Sequence, residues 1–80
     1  MKITTLFFGI TADLIGETEQ ELAFENSIAV GVFKLILIEK FPQLKNINSY
    51  AIAVNETYAE DAFILKEGDV VAIIPPVSGG

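Results

Sequence analysis

The sequence predicts an α+β fold in which one main helix lies across one face of a β-sheet. Three observations carry that prediction. The first apolar segment (2–10, KITTLFFGI) and the last (70–74, VVAII) are rich in β-branched and aromatic residues. A single long segment between them, SIAVGVFKLILIEKF at 27–41, repeats apolar residues at helical spacing. Pro75 and Pro76 then close the last strand, because proline has no N–H to give to a sheet ladder.

Each element follows in chain order. Residues 2–10 read as a strand in which Ile3, Thr5 and Phe7 point one way and Leu6 and Phe8 the other. Both faces carry large apolar groups, so this strand is either central or has an outer face that meets something. Residues 13–21, with Gly16 and three glutamates, read as a solvated loop, and ELAFE at 21–25 as a second strand paired with the first. In 27–41, Val30, Phe33, Leu37 and Phe41 form one helical stripe, while Lys34, Glu39 and Lys40 interrupt the strand-like alternation. Pro42 is a normal helix stop, which places a helix from 28–30 to Phe41. Gly31 weakens its first turn by about 1 kcal/mol relative to alanine, and Val32 and Leu35 lie away from the stripe. YAIAVN at 50–55 is a third strand, Asn55 and Glu56 supply a turn, and Thr57 and Tyr58 return as a short strand. KEGD at 66–69 is a turn in which Gly68 takes positive φ. VVAII is the last strand, buried and central, and the simplest packing sets it beside the first.

Composition narrows the chemistry. Eighty residues make one domain, 1–80, with one modest core and no repeat or linker. The sequence has no cysteine and no histidine, so neither a catalytic triad nor a zinc site can be assembled from its side chains. The formal charge of -6 disfavours nucleic acid and anionic membranes and favours a partner with a basic patch. No stretch approaches the roughly 20 apolar residues of a membrane span, and the expected location is the cytoplasm. Glu60 with Asp61, and Glu17 with Glu19 and Glu21, fall in predicted loops without a donor motif and read as solvated surface. The glycines lack the spacing of a phosphate-binding loop.

What remains is the end, PPVSGG. Two prolines favour an extended rod, so residues 75–80 reach up to about 20 Å from the domain. Gly79 and Gly80 fit a channel too narrow for any side chain. The α-carboxylate of Gly80 is the one group available for activation by another enzyme.

Over essentially its whole length the chain resembles the small subunit of molybdopterin synthase, a sulfur-carrier family with the ubiquitin-like β-grasp fold. The matching stretches are LFFG at 6–9, LILIEKFP ending at Pro42, AIAVN at 51–55, KEGDVVAIIPP at 66–76 and the terminal PPVSGG. The resemblance implies a mixed β-sheet with one main helix packed on one face and an extended, flexible C-terminal tail. It implies that no cofactor is bound. An E1-like adenylyltransferase would use ATP to adenylate Gly80, and a sulfurtransferase would supply the sulfur that makes a thiocarboxylate. The tail, with Gly79 and Gly80 at its reactive end, would enter the active site of the large subunit and donate sulfur to a pyranopterin precursor, in a heterotetramer of two small and two large subunits. The partners would supply the catalysis.

The face opposite the helix, with Leu6, Phe8, Val70, Ala72 and Ile74, is then either a docking surface or a second covering of the core. On the docking reading, Phe8, Tyr58, Ile74, Pro75, Pro76, Val77 and Ser78 are the partner-binding residues. Two departures concern detail. Ala12 stands where the family often has arginine, and Ala29 where it often has threonine, which leaves Ser27 as the candidate helix cap. Two further readings share the tail chemistry: a carrier for thiazole synthesis or tRNA thiolation, and a ubiquitin-like modifier conjugated through Gly80.

Overall fold

In the computed structural model, which describes residues 1–76, the chain forms five strands and two helices. Strand β1 (Lys2–Phe7) buries Ile3, Thr5 and Phe7 on one face, as its alternation predicts. Strand β2 (Glu19–Ala23) runs antiparallel to it, with Ile3 opposite Leu22 and Leu6 opposite Glu19. This strand begins two residues earlier than the sequence suggests. Its glutamates read as loop, yet at the sheet edge they stand on the outer face, where carboxylates stay hydrated.

Strand β5 (Val70–Ile74) lies parallel to β1 and antiparallel to β3 (Ala51–Val54), and β4 (Thr57–Tyr58) completes the order β2-β1-β5-β3-β4. The last strand is therefore central and beside the first, as expected. A parallel central pair with antiparallel flanks and a helix across one face is the β-grasp arrangement.

Helix α2 (Val30–Lys40) supplies the other half of the core. Val30, Phe33 and Leu37 are fully buried, and Phe41, just past the last turn, sets its ring edge-on to Phe7 at 5.9 Å. Burying each such side chain contributes about 1.5–3 kcal/mol. Ala29, not Ser27, is the residue at the N-cap, and no side chain caps the helix. The correction has a backbone cause. The N–H groups of Val30 and Gly31 donate to the carbonyls of Phe63 and Asp61 at 2.8 and 2.9 Å, so the connector after β4 fills the role of the cap. Val32 and Leu35 remain exposed on the far side.

The first predicted strand also ends early. Its last residues enter a short helix α1 (Ile10–Ile15) that the sequence reading divides between strand and loop. Gly9, at φ 55° and ψ -133°, opens a turn closed by the Thr11 N–H donating to the Phe8 carbonyl at 3.1 Å. Those angles suit a type II′ turn, which favours glycine there. Gly16, left-handed at φ 85°, ends the helix. Two single-turn 3-10 helices, Pro42–Leu44 and Ile47–Ser49, connect α2 to β3 and bury Leu44 and Ile47.

Candidate functional site: the outer sheet face and the root of the tail

The pairing register decides which side chains share the uncovered face. Thr4 and Leu6 on β1 align with Val70 and Ala72 on β5, and Ala72 in turn sits opposite Ala53 on β3, which sits opposite Tyr58 on β4. These are the alternate residues to the buried Thr5, Phe7, Val71 and Ile73. Ala53 and Ala72 are small and adjacent, whereas Phe8 and Tyr58 are large and stand at either side. The result is an open concavity of about 560 Å³ with an alanine floor and aromatic walls.

Each residue singled out by the sequence can now be placed. Phe8 follows directly after β1 and is 48% exposed; its N–H still donates to the Ile73 carbonyl at 3.3 Å. Tyr58 lies on the edge strand β4 and is 75% exposed. Ile74 ends β5 and is half-buried, and all three line the same concavity. Pro75 follows, half-buried, and a Cβ built on Gly9 would stand 3.2 Å from its Cγ. Pro76 is exposed. Val77, Ser78, Gly79 and Gly80 lie outside the described residues.

The sequence reading did not single out Ala53, Asn55 or Glu56, which also line the concavity. A signal for Ala53 was present. In AIAV the large residues fall at one parity and the alanines at the other, so the outer face of β3 had to be shallow. Asn55 and Glu56 reach the rim only because the β3–β4 turn folds back beside β5.

The margins of this face are acidic and its centre is apolar. Glu19 and Glu21 flank it on β2, with Lys2 Nζ 3.9 Å from Glu21, and Glu56 stands at the opposite margin. Such a surface suits a protein whose contact patch is apolar at the centre and basic at the edge. Among the described residues no three acidic side chains are placed to hold a metal ion, and no helix is long and apolar enough to cross a membrane. The described part of the molecule presents an apolar concavity, with the strand beneath it running straight into Pro75.

A model of the ThiS family matches residues 5–80. The chain belongs to the ThiS family. Over 83 residues this ThiS-family chain is 34% identical to the molybdopterin synthase sulfur carrier subunit of Caenorhabditis briggsae, an alignment that covers 100% of this chain and 99% of the relative. It also matches a solved protein-protein complex of subunits 1 and 2 of the molybdopterin-converting factor of Helicobacter pylori, at 29% identity and a TM-score of 0.71 with both chains fully covered. The small archaeal modifier protein 1 of Methanosarcina acetivorans shares the fold at a TM-score of 0.79 and 26% identity, over 99% of this chain and 96% of that one.

Proposed function

We propose that residues 1–80 form a sulfur-carrier domain, the small subunit of a cytoplasmic molybdopterin synthase. The observation that carries this reading is the 34% identity to a carrier of that name over the full length of both chains. The geometry supports it. Strand β5 lies at the centre of the sheet, so the tail root is anchored on both sides, and Pro75 leaves at the margin of the one apolar concavity described above. A partner seated on that face would receive the tail beside it. The matched complex of subunits 1 and 2 supports the large subunit as that partner, and the proposed assembly has two small and two large chains.

In this reading the Gly80 carboxylate attacks the α-phosphorus of ATP on the adenylyltransferase, and pyrophosphate leaves. Hydrosulfide-level sulfur from the sulfurtransferase then attacks the acyl carbon, the bond to AMP breaks, and a thiocarboxylate remains. In the large subunit the thiocarboxylate sulfur attacks an oxygen-bearing carbon of the pyranopterin precursor. The C–O bond at that carbon breaks as the C–S bond forms and the oxygen group leaves, and water then hydrolyses the resulting thioester to the Gly80 carboxylate and a thiol on the precursor. Two charged chains supply the two sulfurs of the dithiolene. Val77, Ser78, Gly79 and Gly80 act as the thin arm, and Phe8, Tyr58, Ile74, Pro75 and Pro76 as the docking contacts. Apart from the Gly80 carboxylate and the thiocarboxylate made from it, the catalytic groups come from the partners, in keeping with a sequence without histidine or cysteine.

Likeness to an archaeal modifier protein favours one second reading, conjugation of Gly80 to a lysine. Intact mass spectrometry separates the two after incubation with the activating enzyme, ATP and a sulfur donor. Replacement of one terminal oxygen by sulfur, followed by its loss to the precursor on the large subunit, is the expected result. An unchanged mass, together with cofactor synthesis that survives deletion of Gly80, overturns the carrier reading. Isopeptide-linked conjugates in place of sulfur transfer support the second.

A further inference from the structure

One rim residue of the concavity is held in a conformation that its side chain disfavours. Asn55 and Glu56 form the two-residue turn between β3 and β4, with φ of 51° and 71°. A hairpin turn of this hand needs positive φ at both positions, and asparagine followed by glycine meets that need with the least strain. Asn55 is well suited, and its side chain is occupied, bonding Asp69 and Val70. Glu56 is not suited, for a Cβ in the left-handed region carries a cost that glycine avoids.

The carboxylate at that position has no internal task. It takes part in none of the ion pairs or side-chain hydrogen bonds among the described residues. It is exposed, and it is the one charged side chain lining a concavity whose other walls and floor are apolar apart from Asn55 and the Tyr58 hydroxyl. Strain held at a surface position, with an unpaired charge on the edge of an apolar patch, fits a residue retained for what it meets.

We infer that Glu56 is a specificity-determining residue of the docking face, its carboxylate presented at the rim to pair with a lysine or arginine of the partner. The inference rests on the carrier reading above, with the large subunit as that partner. A rim charge acts chiefly on encounter rate and salt dependence, while the apolar centre supplies most of the affinity.

Calorimetric titration of the large subunit with the intact chain and with Glu56→Gln, Glu56→Gly and Glu39→Gln, at low and high salt, tests it. Glu39 is exposed on α2, away from this face, and controls for the change in net charge. Glu56→Gln is expected to weaken binding by about two- to fivefold at low salt and to flatten the salt dependence, with Glu39→Gln unchanged. Glu56→Gly is expected to bind as weakly as Glu56→Gln while unfolding at higher urea than the intact chain, which a merely structural role would not produce. Equal affinity and equal salt dependence for Glu56→Gln and the intact chain overturn the inference and leave the carrier reading standing. If the intact chain does not bind the large subunit, the carrier reading falls and this inference falls with it.

Discussion

Asn55, in the β3–β4 turn, holds Asp69, in the turn that precedes β5. Its side-chain amide donates to one Asp69 carboxylate oxygen at 2.9 Å, and its carbonyl oxygen accepts the Val70 N–H at 3.0 Å. The other Asp69 oxygen accepts the Lys66 N–H at 2.8 Å. Two turns distant in sequence are thereby locked together at the point where β5, the strand that leads to the tail, begins. Asn55→Gly keeps the positive φ but removes both side-chain bonds, and is expected to lower stability by about 1–2 kcal/mol. Asn55→Ala adds strain at φ 51° and should cost more. Asn55→Asp keeps an acceptor but sets two carboxylates face to face. Urea denaturation of the three variants checks the order, and equal losses for alanine and glycine would remove the strain component.

Thr5 gives a prediction of opposite sign. It is fully buried in β1, and its Oγ1 has no hydrogen-bond partner. A hydroxyl desolvated without compensation costs about 1–3 kcal/mol, and valine has nearly the same shape. Thr5→Val is expected to raise the free energy of unfolding by about 1 kcal/mol, seen as a higher urea midpoint at unchanged slope. A lower midpoint would mean that the hydroxyl finds a partner in solution.

Gly31 is the case in which helix propensity and packing disagree. Propensity alone predicts that Gly31→Ala stabilises α2 by about 1 kcal/mol. A Cβ there would stand 3.2 Å from that of Asp61, and the connector cannot yield freely. Asp61 accepts from the Gly31 N–H at 2.9 Å and pairs with Lys34 at 2.7 Å, while Phe63 and Leu65 are tied to Val30 and Ile28 at 2.8 Å. Packing is expected to win, with a net loss of about 1 kcal/mol in thermal or urea unfolding. A gain would show that the connector moves aside without breaking its bonds.

Phe8→Lys tests the docking face directly. The position is about half exposed, so lysine is tolerated and unfolding should shift by less than about 0.5 kcal/mol. Placing a charge in the apolar concavity should weaken association with the large subunit by about tenfold or more. Calorimetry showing unchanged affinity would remove Phe8 from the interface.

Much of the fold could be read in advance because its patterns are local. The alternation of Ile3, Thr5 and Phe7, the stripe of Val30, Phe33 and Leu37, and the proline stop after Ile74 each depend on neighbours in the chain, and each holds in the structure. The elements misread were those whose state is decided elsewhere. Helix α1 depends on a turn at Gly9, and its apolar Ile10 continues the preceding strand pattern. Strand β2 starts at Glu19 because the β1 ladder reaches that far, not because glutamate favours a strand. Ser27 looked like a cap, and the carbonyls of a connector more than thirty residues away do that work instead.

For the site, the sequence by itself determined its chemical limits. With no histidine and no cysteine, the side chains lack the commonest general base and any thiol, and the diglycine at 79–80 is the candidate for activation that the sequence offers. Alternation also placed Leu6, Phe8, Val70, Ala72 and Ile74 on a common face, since a period of two follows from the strand backbone alone. Only the tertiary structure decided that β5 lies between β1 and β3, that Ala53 meets Ala72 to form a floor, and that Glu56 comes to the rim. Those are matters of register between distant segments. No single strand encodes its own neighbour, so the concavity exists only once the sheet has assembled.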